Sequence, residues 1–448
     1  MTANTIYVVQ LPFPSLDYFP VPRYFERLQA WYRRAAGADC TVPYAGIWEI
    51  PLWVSWVRAA LLVARNCLDA AFDVQIRDLS RAPFDVDAVL QQLPCVSPGD
   101  IYCLSPLTQN RALATRLAAV LRQRGMKAVG GGPVAGDLDA QDFDCIFVGK
   151  IETSFEKFLG SFAALLGAPR RNRRTDYVAL LAEHLDYTWA FPGYHSQILY
   201  LRTFTHHGCP FACTFCADRS SGSSLVDPRL LSRELFSLVS TFPDHQTLYV
   251  GDSTFGVAYG AMSNLAEALT GVHDALRRAL RLIVQTNPAL VTPRFAANLR
   301  KLGVVLVELG IESGSSASVR RTQKFRPSND WLEEKLRILD EAGLRVAANI
   351  IVGLPEDSEE DYEQTEAFIL KWRHRLWFNV YGFVPYPGTQ LYERLVRDQR
   401  IRNWNSEQWC EGGPFVFDGY YLDADSAYMY LIRILTAASG EGEIGAIQ

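Results

Sequence analysis

Three cysteines, Cys209, Cys213 and Cys216, fall within the stretch HHGCPFACTFC (206–216). Their spacing is C-x3-C-x2-C, and no second C-x-x-C pair occurs in the chain. A zinc site wants four Cys or His ligands and could borrow His206 or His207. A disulfide needs an oxidising compartment. An iron–sulfur cluster held by three thiolates leaves one iron with an open coordination position. That option accounts for the missing fourth cysteine, because something else must bind there.

The elements that must position this loop are legible as strands. ILYLRTFT (198–205) runs directly into it, and TLYVGDS (247–253), RLIVQTN (281–287), VVLVELGIES (304–313), RVAANIIVG (345–353) and WFNVYGFVP (377–385) follow, each preceded by a helical pattern. Six strand–helix units over roughly 190 residues predict a partial (β/α)6 barrel. Asp252, Gln285 with Thr286 and Asn287, and Glu312 with Ser313 stand where those strands end. Barrel enzymes keep their chemistry at such ends.

An earlier series carries the same alternation. IYVVQL (6–11), FDVQIRDL (72–79), DIYCLS (100–105), MKAVGGGP (126–133) and CIFVGKIE (145–152) read as strands with helical patterns between them. The helix of 109–125 should stop at Gly125, where a C′ glycine belongs. The expectation is an α/β, doubly wound, Rossmann-like domain over 1–165, a linker over 166–195, the barrel over 196–395 and a small C-terminal extension over 396–448. Ligands of such sheets sit beyond the carboxyl ends of the strands. Those ends are Leu104-Ser105, Gly130-Gly131-Gly132-Pro133 and Gly149. Glycines there either let a backbone approach a bulky ligand or only make a tight turn.

Composition narrows the class of protein. The chain has 448 residues, of which 49% are apolar, and a formal net charge of −5. No basic footprint suggests nucleic acid as a partner. The longest apolar pattern, 50–72, is interrupted by Arg58 and Arg65 and reads as a packed helix, not a membrane span. The start MTANTIYVVQLP has no basic segment followed by an apolar run. With nine unevenly spaced cysteines this leads us to expect a reducing cytoplasm. Cys40, Cys67, Cys95, Cys103 and Cys145 sit among apolar residues and read as small buried hydrophobes, as does Cys410, for which a catalytic thiol near the substrate is the alternative. The tail, rich in aromatics over 404–423, is expected to cap the barrel mouth or to pack on the first domain.

Taken together, these residues resemble the radical S-adenosylmethionine (SAM) enzymes. In that family a C-x3-C-x2-C loop after the first barrel strand holds a [4Fe-4S] cluster, and SAM chelates the open iron. The resemblance makes Cys209, Cys213 and Cys216 the cluster ligands. It makes Phe215 the aromatic against adenine and Asp252 of YVGDSTF (249–255) the residue receiving the SAM amino group. Glu312 and Ser313 of ELGIESGS (308–315) stand for the ribose and carboxylate motif, and Thr286 and Val352 complete the implied SAM contacts. NIIVGLPEDSEEDYEQT (349–365) resembles the adenine-binding stretch but carries Glu356 where glycine is common, and VPYPGTQLY (384–392) resembles the segment after the last strand.

A doubly wound domain ahead of such a barrel resembles the cobalamin-binding subfamily. The implied corrinoid contacts are Leu104, Ser105, Gly131, Gly132, Pro133, Gly149 and Glu152. Val134 replaces a frequent histidine, Lys150 replaces an acid, and the D-x-H-x-x-G signature is absent. No histidine occurs between residues 1 and 183, so the domain has none to place beneath cobalt. A cobalt without a strong lower ligand is expected to favour easier methyl transfer. The resemblance implies a cytoplasmic, cobalamin-dependent radical SAM methyltransferase, making an adenosyl radical from one SAM and methylating cobalamin with another. The acceptor would be an unactivated carbon of a small metabolite or peptide, and flavodoxin or ferredoxin the electron donor. Alternatives are a non-methylating rearrangement, cyclisation or C–C bond formation, with or without cobalamin, and a non-catalytic metal- or corrinoid-binding protein.

Overall fold

The computed structural model describes residues 4–14, 21, 24–28, 30–31, 50–94, 97–171, 176–190, 198–276 and 280–440. Cys40 and Cys95 therefore lie outside the described residues. Two parallel sheets organise the remainder. The first contains β1 (Asn4–Gln10), β2 (Phe72–Asp78), β3 (Ile101–Leu104), β4 (Lys127–Gly130) and β5 (Cys145–Ile146), in the order β2-β1-β3-β4-β5. Their residues alternate between two covered faces, as a doubly wound sheet requires. Ile6, Val8, Ile101 and Cys103 face one core, whereas Tyr7, Val9, Tyr102 and Leu104 face another. The strand order reverses between β1 and β3, and in such sheets that switch point opens a crevice for a ligand.

Local signals account for the helices between these strands. The helix Leu52–Cys67 presents Val54, Ala60, Leu61 and Val63 to the core, and no helix among the described residues is long and apolar enough to cross a membrane. The helix Arg111–Gln123 ends as expected, with Gly125 at a φ of 82° and Met126 donating back to the Leu121 carbonyl at 3.1 Å. Cys67, Cys103 and Cys410 are buried, and Cys145 is half-buried.

The second sheet has six parallel strands: β6 (Leu201–Thr203), β9 (Thr247–Val250), β10 (Arg281–Thr286), β11 (Val304–Glu312), β12 (Arg345–Val352) and β13 (Trp377–Gly382). They pair in sequence order, and β6 and β13 remain as unjoined edges, which makes the barrel partial. A short antiparallel pair, β7 (His206–His207) and β8 (Ser224–Leu225), brackets the cysteine loop. The open edge at β13 is covered by Tyr24 of the N-terminal part. Its hydroxyl donates to the Phe378 carbonyl at 2.8 Å and accepts from the Val380 N–H at 2.7 Å. An edge strand left with free backbone groups would invite pairing with another chain.

The two sheets share one apolar core rather than touching through a wet interface. Ile6 and Val8 of β1, Leu61 of the helix Leu52–Cys67 and Leu230 and Leu235 of the helix Pro228–Thr241 belong to the same buried cluster. The stretch expected to be a linker contributes here: it carries the helix Tyr177–His184, whose Leu181 is buried in that core. Glu234 fastens the join. Its carboxylate accepts from Trp56 Nε1 at 2.8 Å, Tyr187 Oη at 3.0 Å and Thr203 Oγ1 at 2.6 Å. Burial pushes this carboxyl up, and the three hydrogen bonds oppose that shift. Replacing Glu234 with alanine strands two buried donors and one half-buried one, so we expect a loss of about 2–4 kcal/mol. Denaturant melts of Glu234→Ala should show it, with Glu234→Gln losing less.

Candidate functional site

The cysteine loop begins where β6 ends and is tied down by its neighbours. Cys209 N–H donates to Ser221 Oγ at 3.0 Å, and Ser221 N–H returns a bond to the Cys209 carbonyl at 3.1 Å. Gly208 has a φ of 83°, and a Cβ there would lie 2.3 Å from the Gly222 carbonyl, so only glycine fits the turn. Farther along, Thr214 N–H donates to the Thr322 carbonyl at 3.0 Å, and Leu391 N–H donates to the Thr214 carbonyl at 3.1 Å. Two distant segments thus hold the loop against the barrel mouth.

All three thiols are free; Cys209 and Cys213 are buried and Cys216 is half-buried. Burial pushes the Cys213 thiol up and the Cys216 thiol to about 11. Among the described residues, no three His, Cys, Asp or Glu side chains converge as a single metal ion needs. A cubane cluster asks something different, because each of its irons takes one thiolate. Three free cysteines on a fixed loop, two buried and one half-buried, fit that requirement.

Asp252 lies at the end of β9 as the sequence predicts, but its carboxylate is turned to the loop. It accepts from Thr205 N–H at 2.7 Å, from the Thr205 hydroxyl, and from His206 N–H at 3.3 Å, and His206 Nδ1 lies 2.9 Å from Oδ2. Both side chains are fully buried. Asp252 therefore buttresses the approach to Cys209. The histidines do not serve the cluster sulfurs either. His206 faces Asp252, while His207 Nε2 lies 2.5 Å from Glu152 Oε1 in the first domain. The sulfur contact is made by Thr254, whose Oγ1 stands 3.5 Å from Cys209 Sγ.

Other sequence-predicted residues are distributed unevenly around the mouth. Glu312 sits at a β-bulge with a φ of 67°, a left-handed conformation rare for a residue with a side chain, and forms a buried ion pair with Lys324. Lys324 also draws the Cys213 thiol downward, so this pair adjoins the loop. Ser313 is spent internally: its Oγ lies 2.9 Å from Thr365 Oγ1 and accepts from Ser315 N–H at 3.0 Å. Thr286 Oγ1 donates to the Phe255 carbonyl at 2.8 Å, and the Val352 carbonyl accepts from Phe383 N–H at 2.7 Å. Phe215 is half-buried against the main core. Glu356, at the departure from the usual pattern, pairs with Arg394 at 2.8 Å. Lys324 was not legible as a site residue, since nothing in RRTQKF distinguishes it from a surface lysine.

The carboxyl rim of the first sheet has the character a bulky ligand requires. Leu104 is buried, Ser105 and Gly131 are half-buried, and Gly132, Pro133 and Gly149 are exposed. A Cβ on Gly132, which has a φ of 83°, would lie 2.2 Å from Ser105 Oγ. Around this rim stand three solvent-facing apolar side chains: Phe13 (42% exposed), Leu107 (38%) and Val148 (50%). They follow β1, β3 and β5, the edge where the doubly wound topology places a ligand. An apolar rim with a glycine floor fits the broad face of a corrinoid. Glu152, by contrast, points away from it to His207, and burial pushing its carboxyl up is outweighed by that histidine, which holds it low.

The comparisons with known proteins follow these features. Residues 203–369 match the Radical SAM superfamily model. The chain is 27% identical over 250 residues to the tRNA-2-methylthio-N(6)-dimethylallyladenosine synthase of Tropheryma whipplei (strain Twist), covering 52% of this chain and 50% of that protein. It is 23% identical over 288 residues to the hopanoid C-2 methylase of Rhodopseudomonas palustris (strain TIE-1), covering 61% of this chain and 53% of that one. The chain thus spans about half the length of these curated relatives. Among solved structures it resembles the cobalamin-dependent SAM radical enzyme OxsB with aqua-cobalamin bound, with a TM-score of 0.56 and 13% identity, covering 92% of this chain and 57% of OxsB. It also resembles the radical SAM methyltransferase TsrM from Kitasatospora setae with cobalamin and [4Fe-4S] cluster bound, at a TM-score of 0.56 and 15% identity, covering 89% of this chain and 78% of TsrM. At these identities the likeness is one of fold.

Asp252→Asn keeps all three cysteines but weakens the acceptor that holds their loop. Reconstituted protein carrying it should lose iron to a chelator several-fold faster than the wild type, whereas Cys213→Ala should retain no intact cluster.

Proposed function

We propose that this chain, a radical SAM enzyme by its residues 203–369, is a cobalamin-dependent methyltransferase acting on a carbon of a small metabolite or peptide. One observation carries the reading: the rim of the first sheet and the cysteine loop of the second are held edge to edge, with Glu152 and His207 in contact across the join. When bound, the cluster with SAM supplies an adenosyl radical and the corrinoid a transferable methyl group. A chamber serving both must keep them close and dry.

The protein's own part can be followed residue by residue. Cys209, Cys213 and Cys216 would hold three irons, with Asp252 and Thr254 keeping the loop in register. Glu312 and Lys324, a neutral pair beside Cys213, would meet the polar end of SAM, and Phe215 the adenine. Leu107, Val148, Phe13 and the glycines at 131, 132 and 149 would support the corrinoid ring. Lys150 stands by Glu152, Asp218 and Asp252; burial lowers its ammonium and these acids oppose that shift. It would keep positive charge at the seam, near the cluster loop.

A second reading has its own support. Val134 and Lys150 depart from the cobalamin pattern, and Glu152 is committed to His207. A radical SAM enzyme whose first domain only binds substrate would carry the same features, and would run a rearrangement, cyclisation or C–C bond formation.

Anaerobic reconstitution with iron, sulfide and hydroxocobalamin, followed by desalting and metal analysis, separates the two. We expect about one cobalt per chain, and a Co(II) EPR signal without the nitrogen splitting that an axial histidine imposes, since residues 1–183 contain none. Retention of iron without cobalt would leave the second reading.

A further inference from the structure

Glu411 has so far been given no role, yet it stands at the seam of the two domains. It lies on the C-terminal extension, and Gly382 at the end of β13 donates to its backbone carbonyl at 2.6 Å. Tyr386 Oη lies 3.3 Å from its Oε1. That hydroxyl is in turn 3.5 Å from Gln109 Nε2, which belongs to the turn after β3 of the first sheet and also donates to the Trp409 carbonyl at 3.2 Å. The carboxylate therefore sits between the barrel mouth and the rim where a corrinoid is proposed.

Its surroundings differ from those of four other acids around the two rims. Glu312 is paired with Lys324, Glu152 with His207, Asp252 with His206 and Glu356 with Arg394. Glu411 has no lysine, arginine or histidine partner among the described residues, although its side chain is reached by solvent. Burial pushes its carboxyl up, with only the Tyr386 hydrogen bond opposing. A solvent-reached carboxylate with no counter-charge is open to an entering cation. Aromatic surface adjoins it. Tyr381, 38% exposed, directly precedes Gly382, whose N–H meets the Glu411 carbonyl. Carboxylate oxygens beside tyrosine rings are what an ammonium or guanidinium group prefers.

We infer that Glu411, with the rings of Tyr381 and Tyr386, binds a protonated amine or guanidinium group of the substrate. The inference rests on the reading that substrate enters between the two rims, and it narrows the substrate to a basic amine, amino acid or peptide. Glu411 is a binding residue in this account and takes no part in bond making. Its side chain anchors one end of the substrate from the extension, leaving the other end toward the cysteine loop.

The test is calorimetric titration of reconstituted holoenzyme with n-butylammonium and agmatine, against 1-pentanol and butyrate as neutral and anionic counterparts. The cations should bind saturably and the counterparts should not. Glu411→Gln, which keeps the shape, should weaken the cations by about tenfold or more, as loss of a charged hydrogen-bond partner does. If that variant fails to retain iron, Tyr386→Phe carries the comparison and should weaken them a few-fold. A lysine-containing tetrapeptide with blocked ends, competing against agmatine, separates a peptide source of the cation from a small amine. Absence of saturable cation binding, equal binding of 1-pentanol, or affinity unchanged in the variant overturns the inference. Cobalt measured on the same samples keeps the two ideas apart. Cation binding through Glu411 without cobalt sinks only methyl transfer, whereas full cobalt with indifference to Glu411 sinks only the cation site.

Discussion

Parallel sheets offer their chemistry at one edge only, so two such sheets can cooperate only if those edges are fixed face to face. In this protein one buried carboxylate takes part in that fixing. Glu234 joins Trp56 of the first domain, Tyr187 of the connecting segment and Thr203 at the last position of β6. Thr203 lies two residues before Thr205, whose N–H and hydroxyl are received by Asp252. Hydrogen bonds on either side of the short stretch 203–205 therefore link the domain join to the threshold of the cysteine loop. Buried polar groups are costly when unsatisfied and rigid when satisfied, and these are satisfied at each step.

The loop inherits that rigidity from several directions. Ser221, Thr322 and Leu391 bind its backbone, Asp252 holds its entry, and the Glu312–Lys324 pair stands beside Cys213. The C-terminal extension completes the enclosure. Phe415 packs on Gly353 and Gly382 so closely that a Cβ on Gly353 would lie 2.3 Å from its ring. Arg116 and Glu407 pair at 3.0 Å between the first domain and the extension. The extension thus closes the barrel and braces the first domain at once; the two expectations for it are not exclusive.

Much of this was legible in the sequence where the signal is local. The strands, the (β/α)6 barrel, the cysteine spacing and the C′ glycine at 125 all depend on neighbours within a few residues. The roles of polar side chains were less so. Asp252 could be placed at a strand end, but its partners Thr205 and His206 lie 47 and 46 residues earlier, and only the closed fold reveals that its oxygens are spent. Glu152 reads as a rim residue beside its glycines, and His207 as a ligand that a zinc site could borrow. Their mutual contact joins two domains, which no local pattern encodes. Ser313 is consumed by Thr365 for the same reason, and Tyr24 covering β13 bridges 354 and 356 residues.

The central claim is that cluster and corrinoid share one chamber formed by the two facing edges. It is tested most directly by magnetic coupling between them. Holoenzyme carrying both centres would be poised with the cluster reduced and cobalt as Co(II), and its EPR spectrum compared with those of samples holding either centre alone. Our account predicts that each signal is broadened or split by the other. Two unperturbed signals that simply add would contradict it.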